Sequence, residues 1–340
     1  MGLWIGLALL DLSCKDRSGR PQVVLYCSVD QEVAEPIIAG FEKQSGIGVL
    51  AKYDTEASKT VGLAQRLRAE ATAPAADVFW SGEVFHTIRL AREGLLVPVC
   101  SVPVRASDET PDGVTTNWPV TFADPNGCWY GFALRGRVIG YNTDRVPAAE
   151  APKSLEDVLA PKWKGRLVMA SPAFGTTGGD VASWFAHYGP GRARQILRGL
   201  KDNGVRLVSG NSTAVRMVAT GQADICFTDT DDIYAGQRNG WPVAMNFLDQ
   251  GGDGVLAIPN TAALVKEGPN PQNAGVLMRF LLSEALERRL VESDSHNSPL
   301  HAKVAAEYPQ YAIPHPLRVD YGRVADFLPE AIQAAREILE

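Results

Sequence analysis

The 340-residue chain has no run of about 18 apolar residues, the length a bilayer demands of a spanning helix, which excludes a polytopic membrane protein. It has no surplus of positive charge. Lys and Arg number 33 against 39 Asp and Glu, a formal net charge of −6, so there is no general basic field for a nucleic-acid backbone. Cysteine is scarce. Cys14, Cys27, Cys100, Cys128 and Cys226 are the five present, and no two have C-x-x-C spacing, so neither a zinc ribbon nor a thioredoxin-type site is signalled. Three common enzyme signatures, H-E-x-x-H, G-x-S-x-G and G-x-x-x-x-G-K-[ST], do not occur. What the chain does have is an apolar fraction of 45%, ample to offset chain entropy, which excludes a disordered protein. At roughly 150 residues per domain, its length leads to an expectation of two domains or lobes.

The N-terminus, Met1 to Leu10, is apolar. It is too short to cross a bilayer but suits the apolar region of a signal peptide. Cys14 follows the small Ser13, as the lipid-accepting cysteine of a bacterial lipoprotein does, although no Lys or Arg precedes the run and Asp11 interrupts it. Residues 1–21 therefore read as an export signal and tether with Cys14 as the lipidation site. A buried N-terminal helix is the alternative. With Cys14 set aside, four cysteines remain for one or two disulfides, while Cys27 and Cys226, in apolar runs, read as buried thiols.

Periodicity along the chain predicts alternating strands and helices. Gln22 to Cys27 reads as a buried strand. A helix follows Asp30 with Val33, Ile37, Ile38 and Phe41 on one face, stopped by Gly46. Strands at Ile47–Tyr53 and Asp77–Trp80 alternate with helices at Thr60–Ala71 and Val84–Glu93, the order of a parallel sheet with helices on its faces. Two strands are expected at Trp129–Leu134 and Val138–Tyr141. A second β/α series follows, with strands at Leu167–Ala170, Val205–Val208, Asp224–Phe227, Val243–Phe247 and Val255–Ile258. Its helices are expected at Gly178–Tyr188, Gly191–Asn203, Ser212–Thr220 and Ile233–Asn239, and a last helix at Val324–Leu339. The fold class is α/β in two lobes, and ligands of such sheets bind in the cleft at the carboxyl ends of the strands.

Several segments carry a family resemblance. Val24-Leu25-Tyr26 is followed by Phe41-Glu42-Lys43-Gln44-Ser45-Gly46-Ile47. Further on come Ala76-Asp77-Val78-Phe79-Trp80, Gly136-Arg137-Val138-Ile139-Gly140-Tyr141-Asn142, Trp163-Lys164-Gly165-Arg166 and Gly221-Gln222-Ala223-Asp224. In this order and spacing the chain, from about Gln22 to Val304, resembles a type 2 periplasmic solute-binding protein of an ABC importer, nearest the ferric-iron-binding branch. The resemblance implies a two-lobed fold, each lobe a β-sheet flanked by helices with the ligand cleft at the hinge. Residues 22–122 form the first part of lobe 1, 123–248 lobe 2, 249–300 the return to lobe 1, and 301–340 a C-terminal helical segment. It also implies no catalysis, a permease and an ATPase as partners, a monomer, and a periplasmic or cell-surface location with the membrane reached only through a lipid anchor. The iron branch carries adjacent tyrosines where this chain has Asp231 and Asp232, and a histidine where it has Asp30.

The candidate site has an acidic and an anion-binding half. Asp30, Glu83, Asp231 and Asp232, with Asp229 beside them, fall at predicted strand-to-helix loops. Clustered carboxylates are costly to desolvate without a cation, and hard oxygen donors suit Fe³⁺, Ca²⁺, Mg²⁺, Mn²⁺ or an organic ammonium. Asp30, Asp229 and Asp231 read equally as helix N-caps, worth about 1 kcal/mol each. The other half is Thr176 and Thr177 in the glycine-rich run Phe174–Gly179, and Asn211 and Ser212, each opening a helix whose N-terminus favours an anion. Arg135 or Arg137 offers a bidentate contact to a carboxylate or phosphate, and Thr55 lies in a loop that enters the cleft in the resembled fold. The expected cargo is Fe³⁺ or another metal cation with a synergistic anion, and no organic cofactor. The alternatives are a small organic anion or zwitterion, such as a phosphorylated or phosphonate solute, or a ligand sensor that docks to a membrane receptor.

Overall fold

The computed structural model describes residues 19–54, 60–101 and 118–340. Residues 1–18 of the expected export segment, Cys14 among them, therefore lie outside the described residues, as does Thr55. The first lobe opens with β1 (Gln22–Cys27), α1 (Gln31–Ser45), β2 (Gly48–Tyr53), α2 (Val61–Ala69), β3 (Val78–Ser81), α3 (Phe85–Arg92) and the short β4 (Leu96–Val97). Helix α1 buries Ala34, Ile37, Ile38 and Phe41, the spacing of one helical face. It ends on Gly46 at φ 73°, a left-handed cap that suits glycine because other residues pay for their Cβ there.

A single 14-residue strand, β5 (Trp129–Asn142), replaces the two short strands expected around Gly136. Its halves serve different lobes. Trp129 to Gly136 pairs antiparallel with β10, and Arg137 to Asn142 pairs with β8 and β9. The second lobe holds α4 (Leu155–Val158), β6 (Leu167–Ala170), α5 (Gly175–Tyr188), α6 (Pro190–Asp202), β7 (Arg206–Val208), α7 (Asn211–Ala219), β8 (Ile225–Asp229), α8 (Thr230–Arg238) and β9 (Val243–Asn246). The chain then returns through β10 (Ala257–Val265), α9 (Pro271–Leu281), α10 (Glu284–Glu292), α11 (Ala302–Glu307) and α12 (Tyr321–Leu339).

Strand β10 runs seven residues past the expected end at Ile258, because Pro259-Asn260 marks a register shift and not a terminus. Opposite the shift, Ala133 takes φ 45°. Its N–H donates to Glu287 Oε1 at 2.8 Å and its carbonyl accepts from Asn260 Nδ2 at 2.6 Å, so both backbone groups of Ala133 are paired. The sheet order is β2-β1-β3-β10-β5-β8-β6-β7, with β4 on β10 and β9 on β5. Strands β1, β2 and β3 are mutually parallel, as are β6, β7 and β8, so in each lobe the strand ends and helix starts face the same way.

Helices cover both faces of the sheet. One core lies between lobe 1 and α1, α9 and α10, around Phe41, Trp80, Phe132 and Leu277. A smaller one lies under α7 and α8, around Val138, Val215 and Ile233. The largest runs unbroken from Leu67 and Phe85 in lobe 1 to Phe185 and Leu197 in lobe 2, and α12 closes it with Val324, Leu328 and Ala335. The lobes meet closely where Gly179 of α5 faces Phe85 of α3. A Cβ at Gly179 would sit 2.1 Å from the Phe85 ring, well inside van der Waals contact. Gly179→Ala is therefore expected to force the lobes apart or cost about 1–3 kcal/mol of overpacking. An increased radius of gyration in X-ray scattering, or a lowered urea midpoint, would show it. Unchanged values of both would mean the interlobe packing is looser than described.

Candidate functional site

Five turns at the carboxyl ends of parallel strands converge on one recess. From lobe 1 come Ser28 and Asp30 after β1, and Gly82 and Glu83 after β3. From lobe 2 come Ser171 to Thr177 after β6, Ser209 to Asn211 after β7, and Asp229, Asp231 and Asp232 around the start of α8. Arg135 reaches it from β5.

Asp229 is the hub. It ends β8 with 1% of its surface exposed. Its Oδ1 accepts from Arg137 Nη1 at 2.7 Å, and its Oδ2 from Thr176 Oγ1 at 2.6 Å and Asn211 Nδ2 at 3.0 Å. Arg135 Nη1 lies 3.7 Å away. Burial alone would raise this carboxyl, but Arg137, Arg135 and Thr176 outweigh it and hold Asp229 below the usual carboxylate range. Arg137 is shared further. Its Nε donates to Asp180 Oδ2 at 3.2 Å, and it also bonds to Thr176 and Thr177. For Asp180, burial is the stronger influence and its pKa is raised in spite of Arg137. Both arginines stay charged, since the surrounding acids overcome the opposing effect of burial.

The expected loop around Asp231 and Asp232 is in fact the first turn of α8, which starts at Thr230, three residues before the predicted Ile233. Asp231 Oδ2 lies 3.3 Å from Arg135 Nη1, and its Oδ1 accepts from the Asp232 N–H. Asp232 Oδ2 accepts from Thr228 Oγ1 at 3.0 Å. One carboxylate oxygen from each of Asp229, Asp231 and Asp232 lies within 4.8 Å of the others.

Of the remaining residues singled out in the sequence, Asp30 is exposed at the N-cap position of α1 and lines the recess. Thr176 and Thr177 stand in the first turn of α5, which begins at Gly175 and not Gly178, and Asn211 opens α7. Ser212, next along α7, lines the wider mouth with Glu32, Arg238 and Asp294. Arg137 is placed behind the recess, 4% exposed, holding Asp229 and Asp180. Arg135 is the arginine on the recess wall, and it also bonds to the Gly82 carbonyl just after β3. Ser28 carried no sequence signal, whereas Thr60 ends the stretch from Tyr53 that the resemblance brings into the cleft. They line the recess through a chain in which Thr60 Oγ1 donates to Ser28 Oγ, which accepts from the Gly82 N–H.

Glu83 lines the recess while its carboxylate accepts from the Phe85 and His86 N–H groups at the start of α3, at 2.6 and 3.1 Å. Burial outweighs these bonds and the pull of Arg135, raising its pKa to about 7. A carboxyl raised in the folded state keeps its proton there after the unfolded chain has lost it. Its contribution to stability is therefore full below the unfolded value of 4.5 and falls as pH rises to about 7. The wild-type protein is expected to lose roughly 3 kcal/mol more than Glu83→Gln over that window. Urea unfolding of both at pH 4.5 and 7.5 measures the difference, and parallel curves would refute the raised value.

Two α/β lobes joined through β5, with a polar cleft lined by charged residues of both, define a hinged ligand-binding protein. Residues 23–293 match the family described as bacterial extracellular solute-binding protein, and the chain belongs to that family. It is 27% identical over 294 residues to Iron uptake protein A1 of Synechocystis sp., covering 84% of this chain and 78% of that protein. Among solved structures, iron-bound HitA from Pseudomonas aeruginosa superposes with a TM-score of 0.78 at 23% identity, covering 94% and 99% of the two chains. The periplasmic binding protein AfuA from Actinobacillus pleuropneumoniae, with fructose-6-phosphate bound, also gives 0.78, at 18% identity and covering 94% and 98%. At these identities the two superpositions carry the fold alone. Among the described residues, no helix is long and apolar enough to cross a membrane.

Proposed function

We propose that this solute-binding protein captures ferric iron, or another hard cation with a companion anion, outside the cytoplasm and hands it to the permease and ATPase of an ABC importer. The observation that carries this reading is the group of Asp229, Asp231 and Asp232 at the start of α8, with Asp30 on the facing lobe. Carboxylate oxygens are hard donors suited to Fe³⁺. The outer mouth supports it: Asp30, Glu32, Asp231, Asp232 and Asp294 face Arg238 alone among lining bases, a field that draws cations inward. Asp229 is committed to Arg137, so Asp231 and Asp232 are the working ligands and Asp30 closes on the ion from lobe 1. Arg135 must then release Asp231, and a companion anion beside Arg135 and the N-termini of α5 and α7 would take up its charge. Cation and anion binding are coupled in this way. In this reading the lobe limits are 22–122, 123–248 and 249–300, with 301–340 a C-terminal helical segment, except that Trp129–Gly136 of β5 go with lobe 1; the protein is a monomer that turns nothing over. An anchor on Cys14 would tether it to the membrane surface.

A second reading rests on a separate observation. Arg135 Nε is buried and has no hydrogen-bond partner among the described residues, on a wall shared with two helix N-termini. That suits the phosphate or carboxylate of an organic solute. Iron analysis and native mass spectrometry of protein isolated without chelator decide between the two. About one equivalent of iron supports the first reading. An iron-free protein carrying a phosphorylated small molecule would replace it with the second.

A further inference from the structure

Of the four cysteines in described segments, two are sealed in separate cores. Cys27 lies among Phe41 and Trp80 in lobe 1, and Cys226 among Val138 and Ile233 in lobe 2. The other two are also free thiols in this structure, and the residues that precede them in the chain are hydrogen-bonded to each other. Cys100 is exposed and Cys128 half-buried. They are 28 positions apart in the chain, but the backbone joins their neighbours: the Val99 N–H donates to the Gly127 carbonyl at 3.0 Å. Each sits in a short turn fastened to the sheet. Cys100 lies in the helical turn Val99–Ser101 just after β4, and Ser101 bonds back to the Pro98 carbonyl through both its N–H and its hydroxyl. Cys128 immediately precedes β5, in a turn where Asp124 Oδ2 accepts from the Asn126 and Cys128 N–H groups.

We propose that Cys100 and Cys128 form a disulfide once the protein is outside the cytoplasm. The family is extracellular, and such compartments favour disulfides. The oxidant is a second disulfide, either a protein dithiol oxidase or oxidised glutathione. The exposed Cys100 thiolate attacks one of its sulfurs and expels the first thiol. The Cys128 thiolate then attacks the Cys100 sulfur and expels the second. Two protein thiols are oxidised, one partner disulfide is reduced to two thiols, and the two protons pass to those thiols. Burial, then Asp124, then the neighbouring Cys100 raise the Cys128 thiol to about 11. That makes Cys128 a poor leaving group, so the bridge once formed resists reduction. It would staple the end of β4 to the start of β5, the strand that carries both arginines of the site.

The test is thiol mapping of the full-length protein exported from a bacterial host or incubated with excess oxidised glutathione. The chain is denatured in N-ethylmaleimide without reductant and digested. The expected result is a linked pair of peptides containing Cys100 and Cys128, with Cys27 and Cys226 alkylated. Cys100→Ser should leave Cys128 alkylatable, and Cys128→Ser should do the same for Cys100. Reductant should lower the thermal midpoint of the wild type and of neither variant. Full alkylation of both residues in the oxidised wild type, or a linked peptide joining either to a different cysteine, would overturn the proposal. None of these outcomes depends on which solute occupies the cleft.

Discussion

Asp231→Ala is expected to weaken ferric binding by about 100-fold or more, a loss near 2.7 kcal/mol. The change removes a carboxylate from the cluster and leaves Arg135, 3.3 Å away, less fully balanced, with Asp229 at 3.7 Å as its remaining ion pair, facing the ion. The same substitution has the opposite sign for an anionic solute. Removing Asp231 releases the Arg135 guanidinium, so a phosphate-bearing ligand should bind as well as before or better. Asp232→Ala should follow Asp231→Ala for a cation, because Asp232 shares the first turn of α8. Arg135→Ala should collapse the affinity for an anionic solute, and should make ferric binding independent of the companion anion, because Asp231 is freed and the anion loses its guanidinium. Competition of ferric citrate with a chromogenic chelator, and calorimetry with glucose-6-phosphate, measure the two arms. A ferric affinity unchanged by Asp231→Ala and Asp232→Ala together would remove the metal reading altogether.

Arg137→Ala should be the most destabilising single substitution in the site, by about 3–5 kcal/mol. Arg137 donates to Asp229, Asp180, Thr176 and Thr177 in a setting where it is 4% exposed. Its removal strands two buried carboxylates with no adequate cation, and Asp229 retains only Arg135 at 3.7 Å. Arg137→Lys should recover a minor part, because one ammonium cannot span donors to both Asp180 and Asp229 in the planar arrangement a guanidinium provides. Pairing Arg137→Met with Asp229→Asn should cost much less than the sum of the two, since each relieves the other's unmatched charge. Urea midpoints of the four proteins complete the cycle. A loss below about 1 kcal/mol for Arg137→Ala would mean that water reaches these acids and the network is not sealed.

The comparison of sequence and structure turns on particular elements. Gln22–Cys27, the amphipathic α1 and its stop at Gly46 were legible because each is set by residues within one or two turns of one another. Strand β10 was read too short at Pro259-Asn260, where proline ordinarily ends a central strand. Here a bulge absorbs it, held by Glu287 and Asn260, and only the distant Ala133 reveals that. Likewise, Asp231 and Asp232 were recognisable as acidic residues near a helix start, but whether they face a loop or a helical turn depended on how far β8 extends. It reaches Asp229 because Arg137 of β5 pairs with that residue in register.

What the sequence determined by itself is therefore the α/β alternation, the two-lobed class and the set of polar residues near strand ends. Hydrophobic period, capping residues and glycine stops act over short stretches of chain and need no knowledge of the rest. The division of labour within that polar set was decided only by the tertiary structure. Arg135 and Arg137 stand two apart on one strand and look equivalent as letters. One reaches the cleft wall and the other is consumed by Asp180 and Asp229, 43 and 92 positions away. Which charges are neutralised inside the protein, and which are left to meet a ligand, is a property of such long-range pairings, because a buried charge is stable only where the fold brings its partner to it.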